Sequence, residues 1–569
     1  MRNKFIVTCL AGFIMALVLS SCASLKPLES RYVKVTPQPL AVKGGKVPAT
    51  ITIDFPAKWF HKNAELKITP TLRYQGGEAW GTTTMLQGEK VRGNATSVMY
   101  DTGSKIQIYT EFVYKPEMQK SDLYLTFTAR INGREKTLPP VKVGEGVIAT
   151  ENLASYRYAI PAIAPDKFQR IIQEKYDADI LFLIQQAQLR AQELGKASIK
   201  EWKGIVKNAD ETPNQKVAVE VQAYASPDGG LELNEKLAEQ REKNTTKYLK
   251  QQLSKEKVSA PVTAHYTAQD WEGFRELVEK SNLQDKDLVL RVLSMYPDPE
   301  VREREIKNIS SVFKQLADEV LPQLRRSRLV ANVEIIGKSD EELARLGKEA
   351  PNRLTVDELL YSAVLYPTDA EQQQIYQTAT QLFPNDPRAY NNLGVLAYRS
   401  GDYVQAEKYF AQAAQRKVNG TPIQETLYNQ GLMAISKNDI VGAEQLFGLC
   451  ADVPLLPDAL GLLYLKQGRH NEAAQALQNT PTNNGVLAQI LNKDYNKALE
   501  LLGKIPAPDA TTHYLKAIIG ARTAQRNLIE QGVKQAVKMD PSMAINISRD
   551  REFARYNNET YFLQALKGM

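Results

Sequence analysis

The sequence predicts a multidomain chain: an N-terminal β-sandwich, a central α+β domain and a C-terminal α-helical solenoid of repeats. Three observations predict it. Short alternating apolar runs, punctuated by turn residues, fill residues 36–150. Strand-like and helix-like runs interleave over 160–338. Small and large apolar residues recur at matched helical spacings through 350–569. At 569 residues and 43% hydrophobic composition, the chain is long enough to bury several cores.

The N-terminus comes first. Arg2 and Lys4 precede an apolar run over 5–19, broken only by Thr8 and Gly12. This is the pattern of a secretory signal, and the run is short for a membrane-spanning helix. It ends in Leu19-Ser20-Ser21-Cys22. A branched apolar residue, two small residues and Cys resemble the lipobox of bacterial lipoproteins. The resemblance implies a signal peptide over 1–21, a lipidated Cys22 and a lipid-anchored linker over 22–35. Neither Ala23 nor Ser24 is the Asp that retains such lipoproteins at the inner membrane. The implied location is therefore the outer membrane, with the domains expected on the periplasmic side. Each acyl CH2 buried in the bilayer contributes about 0.8 kcal/mol to such an anchor. Loss of Arg2 and Lys4 lowers the formal charge from +7 to +5, too mild a balance to suggest a nucleic-acid partner. Cys9 leaves with the signal and Cys22 carries lipid, so Cys450 stands alone and no intrachain disulfide is expected.

Within 36–150 the alternating runs are 49–55, 65–74, 105–114 and 123–131. Gly76-Gly77, Gly103-Ser104 and Asn132-Gly133 separate them. The pattern predicts an antiparallel sandwich, with an immunoglobulin-like fold as the expectation. Nothing in this segment has a catalytic look. It reads as a spacer or a protein-docking module.

The central domain is expected to run strand 178–189, helix 197–208, strand 216–225, helix 231–253 and strand 261–266. A helical insertion over 269–324 and a closing strand 329–336 follow. Val217, Val219 and Val221 share one strand face, and Leu233, Leu237 and Leu249 lie near one helical stripe. Between strand and helix sits Ser226-Pro227-Asp228-Gly229-Gly230. The two glycines permit a tight turn with free N–H groups at the helix start. Asn234, Leu237 and Arg241 share one helical face, and Arg241 leans back toward the loop. A cation, an amide, a carboxylate and N–H donors together suit a carboxylate or zwitterion.

Here Asn234-Glu235-Lys236-Leu237-Ala238-Glu239-Gln240-Arg241 resembles the OmpA-like peptidoglycan-binding domain, whose helix reads Asn-x-x-Leu-Ser-x-x-Arg. The resemblance implies that Arg241 grips the diaminopimelate of the peptidoglycan peptide stem. Asp228, Ser226, Asn234, Gly229 and Gly230 would line the same site. The family's loop Asp falls on Ser226, which puts the ligand in doubt, although Asp228 lies two residues on. The Ala-Ser-Pro-Asp-Gly loop is similar to a variant in OmpA-family proteins of Bacteroidetes, whereas the helical insertion departs from the usual domain. Arg325, Arg326 and Arg328 are similar to the family's Arg-Arg before its closing strand, or are a solvated strand entry.

In the last part, Asn391, Asn392, Leu393, Gly394, Asp402, Ala406, Phe410 and Ala413 form one unit. Leu427, Gly431, Ala443, Phe447 and Cys450 repeat the pattern. Leu460, Gly461, Tyr464, Ala473 and Leu477 do so again, and Tyr495 and Ala498 mark a degenerate fourth. This resembles the tetratricopeptide repeat, a helix pair that stacks into a curved, protein-binding surface. Family positions on the concave face map to Asn391, Tyr398 and Tyr428. They are read either as contacts to a partner or as ordinary groove residues. Cys450 falls at a small packing position and is expected in the core.

Two functions fit. One is a non-catalytic scaffold that tethers the outer membrane to peptidoglycan and recruits envelope proteins through its repeats. The other is an accessory lipoprotein of an assembly or secretion complex, whose OmpA-like domain no longer binds the wall. An enzyme is not expected. His61, His265, His470 and His513 are scattered singly, without a zinc motif, a P-loop or a nucleophile elbow. No cofactor or metal is expected.

Overall fold

The structure is a computed structural model that describes residues 25–283 and 285–568. Cys22 and the signal segment 1–21 lie outside the described residues. The chain divides into two compact units, one built from the residues up to Pro165 together with Thr368–Met569, the other from Asp166–Pro367. Each is described by itself.

Among the described residues, the first unit begins with nine strands: β1 Val33–Thr36, β2 Lys46–Phe55, β3 Ala64–Tyr74, β4 Gly77–Trp80, β5 Thr84–Gly88, β6 Thr96–Val98, β7 Ser104–Val113, β8 Ser121–Ile131 and β9 Arg134–Gly146. They form sheets of order β1-β2-β7 and β6-β5-β3-β8-β9, with β4 paired to β3. Alternation places Val47, Ala49, Ile51, Ile53 and Phe55 of β2 against Leu66, Ile68, Leu72, Leu123, Leu125 and Phe127 of the other sheet, in one shared core. The four expected runs are strands. One pair departs from the antiparallel expectation, since β5 and β6 run parallel. The short arch between them is wound round buried Gln87, whose amide donates to Gly93 O and accepts from Ala95 N. Leu25 and Leu28 sit in the segment expected as linker, yet both are buried in the sandwich core.

The rest of this unit is a run of helical hairpins: Pro387–Arg399 with Tyr403–Gln415, Gln424–Ser436 with Ile440–Phe447, Leu456–Lys466 with His470–Ala476, Asn483–Leu491 with Tyr495–Leu502, and Ala510–Thr523 with Arg526–Met539. Helix Asp369–Leu382 precedes them and packs on the first. The first four turns share a left-handed residue, Gly401, Asn438, Gly468 or Lys493. Asp402, Asp439 and Asp494 then cap the following helix. Close crossing explains the conserved spacing within the chain. A Cβ placed on Gly394, Gly431 or Gly461 would lie 2.5, 2.3 and 2.3 Å from Phe410, Phe447 and Leu477. Cys450 is fully buried among these helices, and burial pushes its thiol up to about 12.

The second unit carries a four-stranded sheet of β10 Ile171–Leu181, β11 Gln215–Tyr224, β12 Val262–Thr267 and β13 Arg326–Ile336, ordered β10-β13-β11-β12. β11 and β12 are parallel, joined through helix Leu231–Lys255, and the other pairs are antiparallel. Helices Ala197–Glu211 and Leu231–Lys255 pack on the sheet through Ile199, Trp202, Val206, Leu249 and Leu253. The insertion has its own core of Phe274, Val278, Val289, Ile306, Leu316 and Leu324.

Three expectations need correction. The strand expected over 178–189 instead spans Ile171–Leu181, because the carbonyls of Leu183 and Gln186 turn toward Arg241. Leu233 is 46% exposed, and the buried helix face is Asn234, Ala238, Arg241, Thr245, Leu249 and Leu253. Residues 350–367, expected with the repeats, belong to the second unit. Phe168 meets Tyr361 at 4.6 Å between ring centroids, and Lys338 pairs with Glu358 at 2.7 Å.

Candidate functional site

Two arrangements gather the residues singled out above. The first lies in the second unit, where β11 runs out at Tyr224 and helix Leu231–Lys255 begins. Arg241 is 1% exposed. Its Nε donates to Gln186 O at 2.9 Å, Nη1 to Tyr224 O at 2.8 Å and Nη2 to Leu183 O at 3.4 Å. Its guanidinium also lies over the Phe182 ring, 5.0 Å from the centroid. Burial, reinforced by the nearby Arg325 cation, lowers its pKa to about 10. Arg241 therefore props open the arch 183–189 with its own donors.

The loop is satisfied in the same inward way. Asp228 pairs with Arg325 at 2.9 Å, and Ser226 Oγ donates to Asp228. Asn234 Nδ2 donates to Ser226 O at 3.0 Å and to Gly229 O at 2.8 Å. Neither Gly229 nor Gly230 has a positive φ. Gly229 sits close to the Asn234 amide, where a Cβ would lie 3.1 Å from its oxygen. The cavity bounded by Ser226, Asp228, Asn234, Arg241 and Arg325 holds about 50 Å³, room for a water or two. So the structure brings Ser226, Asp228, Gly229, Asn234 and Arg241 together, and it adds Arg325 as the partner of Asp228. Arg326 pairs with buried Asp270 at 2.9 Å and Arg328 with Asp179 at 3.3 Å, so this strand entry is paired rather than solvated.

The second arrangement is the groove of the helical hairpins, and it is occupied. Residues 154–165 run along it, opposite in direction to the hairpin order, with a 3-10 turn over Tyr156–Tyr158 and no further helix from Ala159 to Pro165. Asn392 accepts from Ala164 N at 2.8 Å and donates to Ala164 O at 3.1 Å. Asn429 does the same for Ala162, at 2.8 and 2.8 Å, and Asn391 adds a donor to Ala162 O at 3.0 Å. Asp458 accepts from Ile160 N at 2.9 Å while Tyr428 donates to Ile160 O at 3.0 Å. Tyr398 donates to Tyr156 O, Lys466 to Ala154 O, and Asn484 grips both backbone groups of Ser155. Asn391, Tyr398 and Tyr428, singled out from the sequence as concave-face positions, thus hold the chain's own backbone. They are buried, and burial raises both tyrosines far above the ordinary phenol value.

One end of this strap is pinned by Glu151. Its Oε1 accepts from Gly44 N at 2.7 Å, and its Oε2 lies 2.6 Å from His470 Nε2. The strap, Asn392, Asn429, Asp458 and Asn484 escaped sequence reasoning. The only signal was an Asn or Asp near the start of several first helices.

The pattern of the family described as tetratricopeptide repeat matches residues 373–421. Residues 373–421 match this repeat, and the hairpins after them repeat the same close crossing of a glycine on a large side chain. Among solved structures, the chain is similar over 40% of its length to the APC/C hetero-tetramer Cut9-Hcn1, at 16% identity, 46% of that chain and a TM-score of 0.31. It is similar over the same share to a tetratricopeptide repeat protein from Parabacteroides merdae, at 18% identity, 90% of that chain and a TM-score of 0.27. Pseudomonas aeruginosa pilF gives 12% identity, 97% of that chain and a TM-score of 0.24. The chain spans less than half of the first of these. No curated protein matches it significantly. Repeats of this kind are surfaces for protein partners.

Proposed function

We propose that the protein is a non-catalytic scaffold lipoprotein, anchored through Cys22 in the outer membrane, that organises envelope proteins on the periplasmic side. Its central domain is read as OmpA-like, with the family's ligand pocket closed. The observation that carries this reading is Arg241, whose three nitrogens each donate to a backbone carbonyl, of Gln186, Tyr224 and Leu183, at 1% exposure. A carboxylate ligand would have to displace these bonds, and removing a buried acceptor's partner costs about 1–3 kcal/mol each. The Arg325–Asp228 pair also commits the loop carboxylate to a neighbouring cation.

One observation favours the second reading, a peptidoglycan tether. Two guanidinium groups, Arg241 and Arg325, face a single carboxylate, Asp228, so the pocket keeps one excess positive charge. Anions are attracted to such a site. Sedimentation with purified sacculi separates the readings. The scaffold reading expects residues 25–569 to stay in the supernatant. Pelleting that is lost in Arg325→Ala and kept in Asp228→Ala, which leaves the positive charge in place, would establish the tether instead.

A further inference from the structure

The strap's sequence and the groove's side chains match position by position. In an extended chain, the N–H and C=O of one residue point to the same side, and those of its neighbours to the other. The groove takes the backbone groups of Ile160, Ala162 and Ala164. Pro161 and Pro165, which have no N–H, occupy the alternate positions and hold the preceding residues extended. Ala159, Ala162 and Ala164 are buried, whereas Ile160 and Ile163 are 38% and 37% exposed. Small side chains therefore lie against the helices over Ala159–Ala164, where the two isoleucines are the more exposed, while Tyr156 and Tyr158 reach back to Tyr403 and to Asp509.

We propose that the groove is a backbone-reading peptide site, specific for an extended segment with small residues where Ala159, Ala162 and Ala164 now lie. Its resident ligand is this chain's own segment Ala154–Pro165, bound in cis. Recognition rests on Asn392, Asn429, Asp458 and Asn484, each offering an acceptor to one backbone N–H. Proline is accepted only where no N–H is read. A partner protein cannot use this groove while the strap is seated. The inference stands apart from the envelope reading, because its test needs neither membrane nor cell wall.

The test uses the soluble chain, residues 25–569, and a labelled synthetic peptide of residues 154–165. Wild type is expected not to change the peptide's fluorescence anisotropy. The double variant Ala162→Arg with Ala164→Arg, which cannot seat its own strap, is expected to bind the peptide. Adding Asn429→Ala to it is expected to weaken binding roughly tenfold or more, from two lost hydrogen bonds. Wild type binding as tightly as the double variant would overturn the proposal. So would failure of a folded double variant to bind. Should the arginines prevent folding, hydrogen exchange in wild type decides: the amides of Ile160, Ala162 and Ala164 are expected to be protected, and exchange at open-chain rates overturns the proposal.

Discussion

Asp458 shows how far a single side chain can be pushed by its surroundings. Its Oδ2 accepts from Ile160 N, while Oδ1 has no partner among the described residues and the side chain is buried. Burial raises its pKa to about 6, although the Ile160 N–H pulls the other way. In the unfolded chain an Asp titrates near ~3.9. The folded value is raised, so the fold favours the protonated form. Stability from this group is fully present below about pH 4 and is lost as pH rises through about 6. Asp458→Asn keeps an acceptor for Ile160 and removes the charge. The variant is expected to exceed wild type by roughly 1–3 kcal/mol in urea unfolding above pH 7, with the gap closing at low pH. A gap independent of pH would show that Asp458 is not held protonated.

Gly431 makes a second residue-scale case. Ala normally stabilises a helix interior by up to about 1 kcal/mol over Gly. At Gly431 the new Cβ would sit 2.3 Å from the Phe447 ring, and overpacking of this kind costs about 1–3 kcal/mol. Gly431→Ala is expected to lower the denaturation midpoint. Gly204→Ala, in helix Ala197–Glu211 with nothing within 4 Å, is expected to raise it.

At the scale of elements, Arg241 belongs to the arch 183–189 as much as to its helix. Arg241→Ala would leave three backbone carbonyls without their donor, at about 1–3 kcal/mol for each that stays dry. Arg241→Lys cannot reproduce a planar fork and is expected to rescue little. Both variants should lose several degrees of Tm. A full-strength Tm for Arg241→Ala would mean that the arch holds without it. The same elements show what was legible in the sequence. β2, β3, β7 and β8 alternate cleanly because one face of each is buried and the other wet. β9 hid behind Pro139 and Pro140, which strands tolerate at an edge or a bulge, and β9 is an edge of its sheet with a register shift at these residues. The loop–helix motif was legible as a cluster of the right residues. Whether Arg241 faced a ligand or its own backbone was not, because that depends on the carbonyls of 183–189, some 55 residues away. The strap was illegible for the same reason. The sequence pattern puts residues from Ile160 on with the central domain, and the side chains that hold the backbone of Ser155 and Ala164 lie 329 and 228 residues further along.

For the whole molecule, the strap decides how the chain must be cut. The first unit is assembled from two distant stretches, up to Pro165 and from Thr368, while the second is one continuous stretch, Asp166–Pro367. Residues 166–367 carry their own sheet, covering helices and cores, so they are expected to unfold cooperatively when expressed alone. Residues 368–569 alone are a different matter. Without the strap, the buried amides of Asn391, Asn392, Asn429 and Asn484 lose their backbone partners, and Ala154, Ala159 and Ala162 leave the core they share with the helices. Water can replace some of these bonds but not the packing. The isolated repeats are therefore expected to melt well below the corresponding transition of the full chain. Residues 25–165 added in trans are expected to restore part of the loss. Calorimetry of the three polypeptides checks this. Isolated repeats as stable as the repeats in the full chain would mean that the strap is a passenger in the groove and that the hairpins hold themselves.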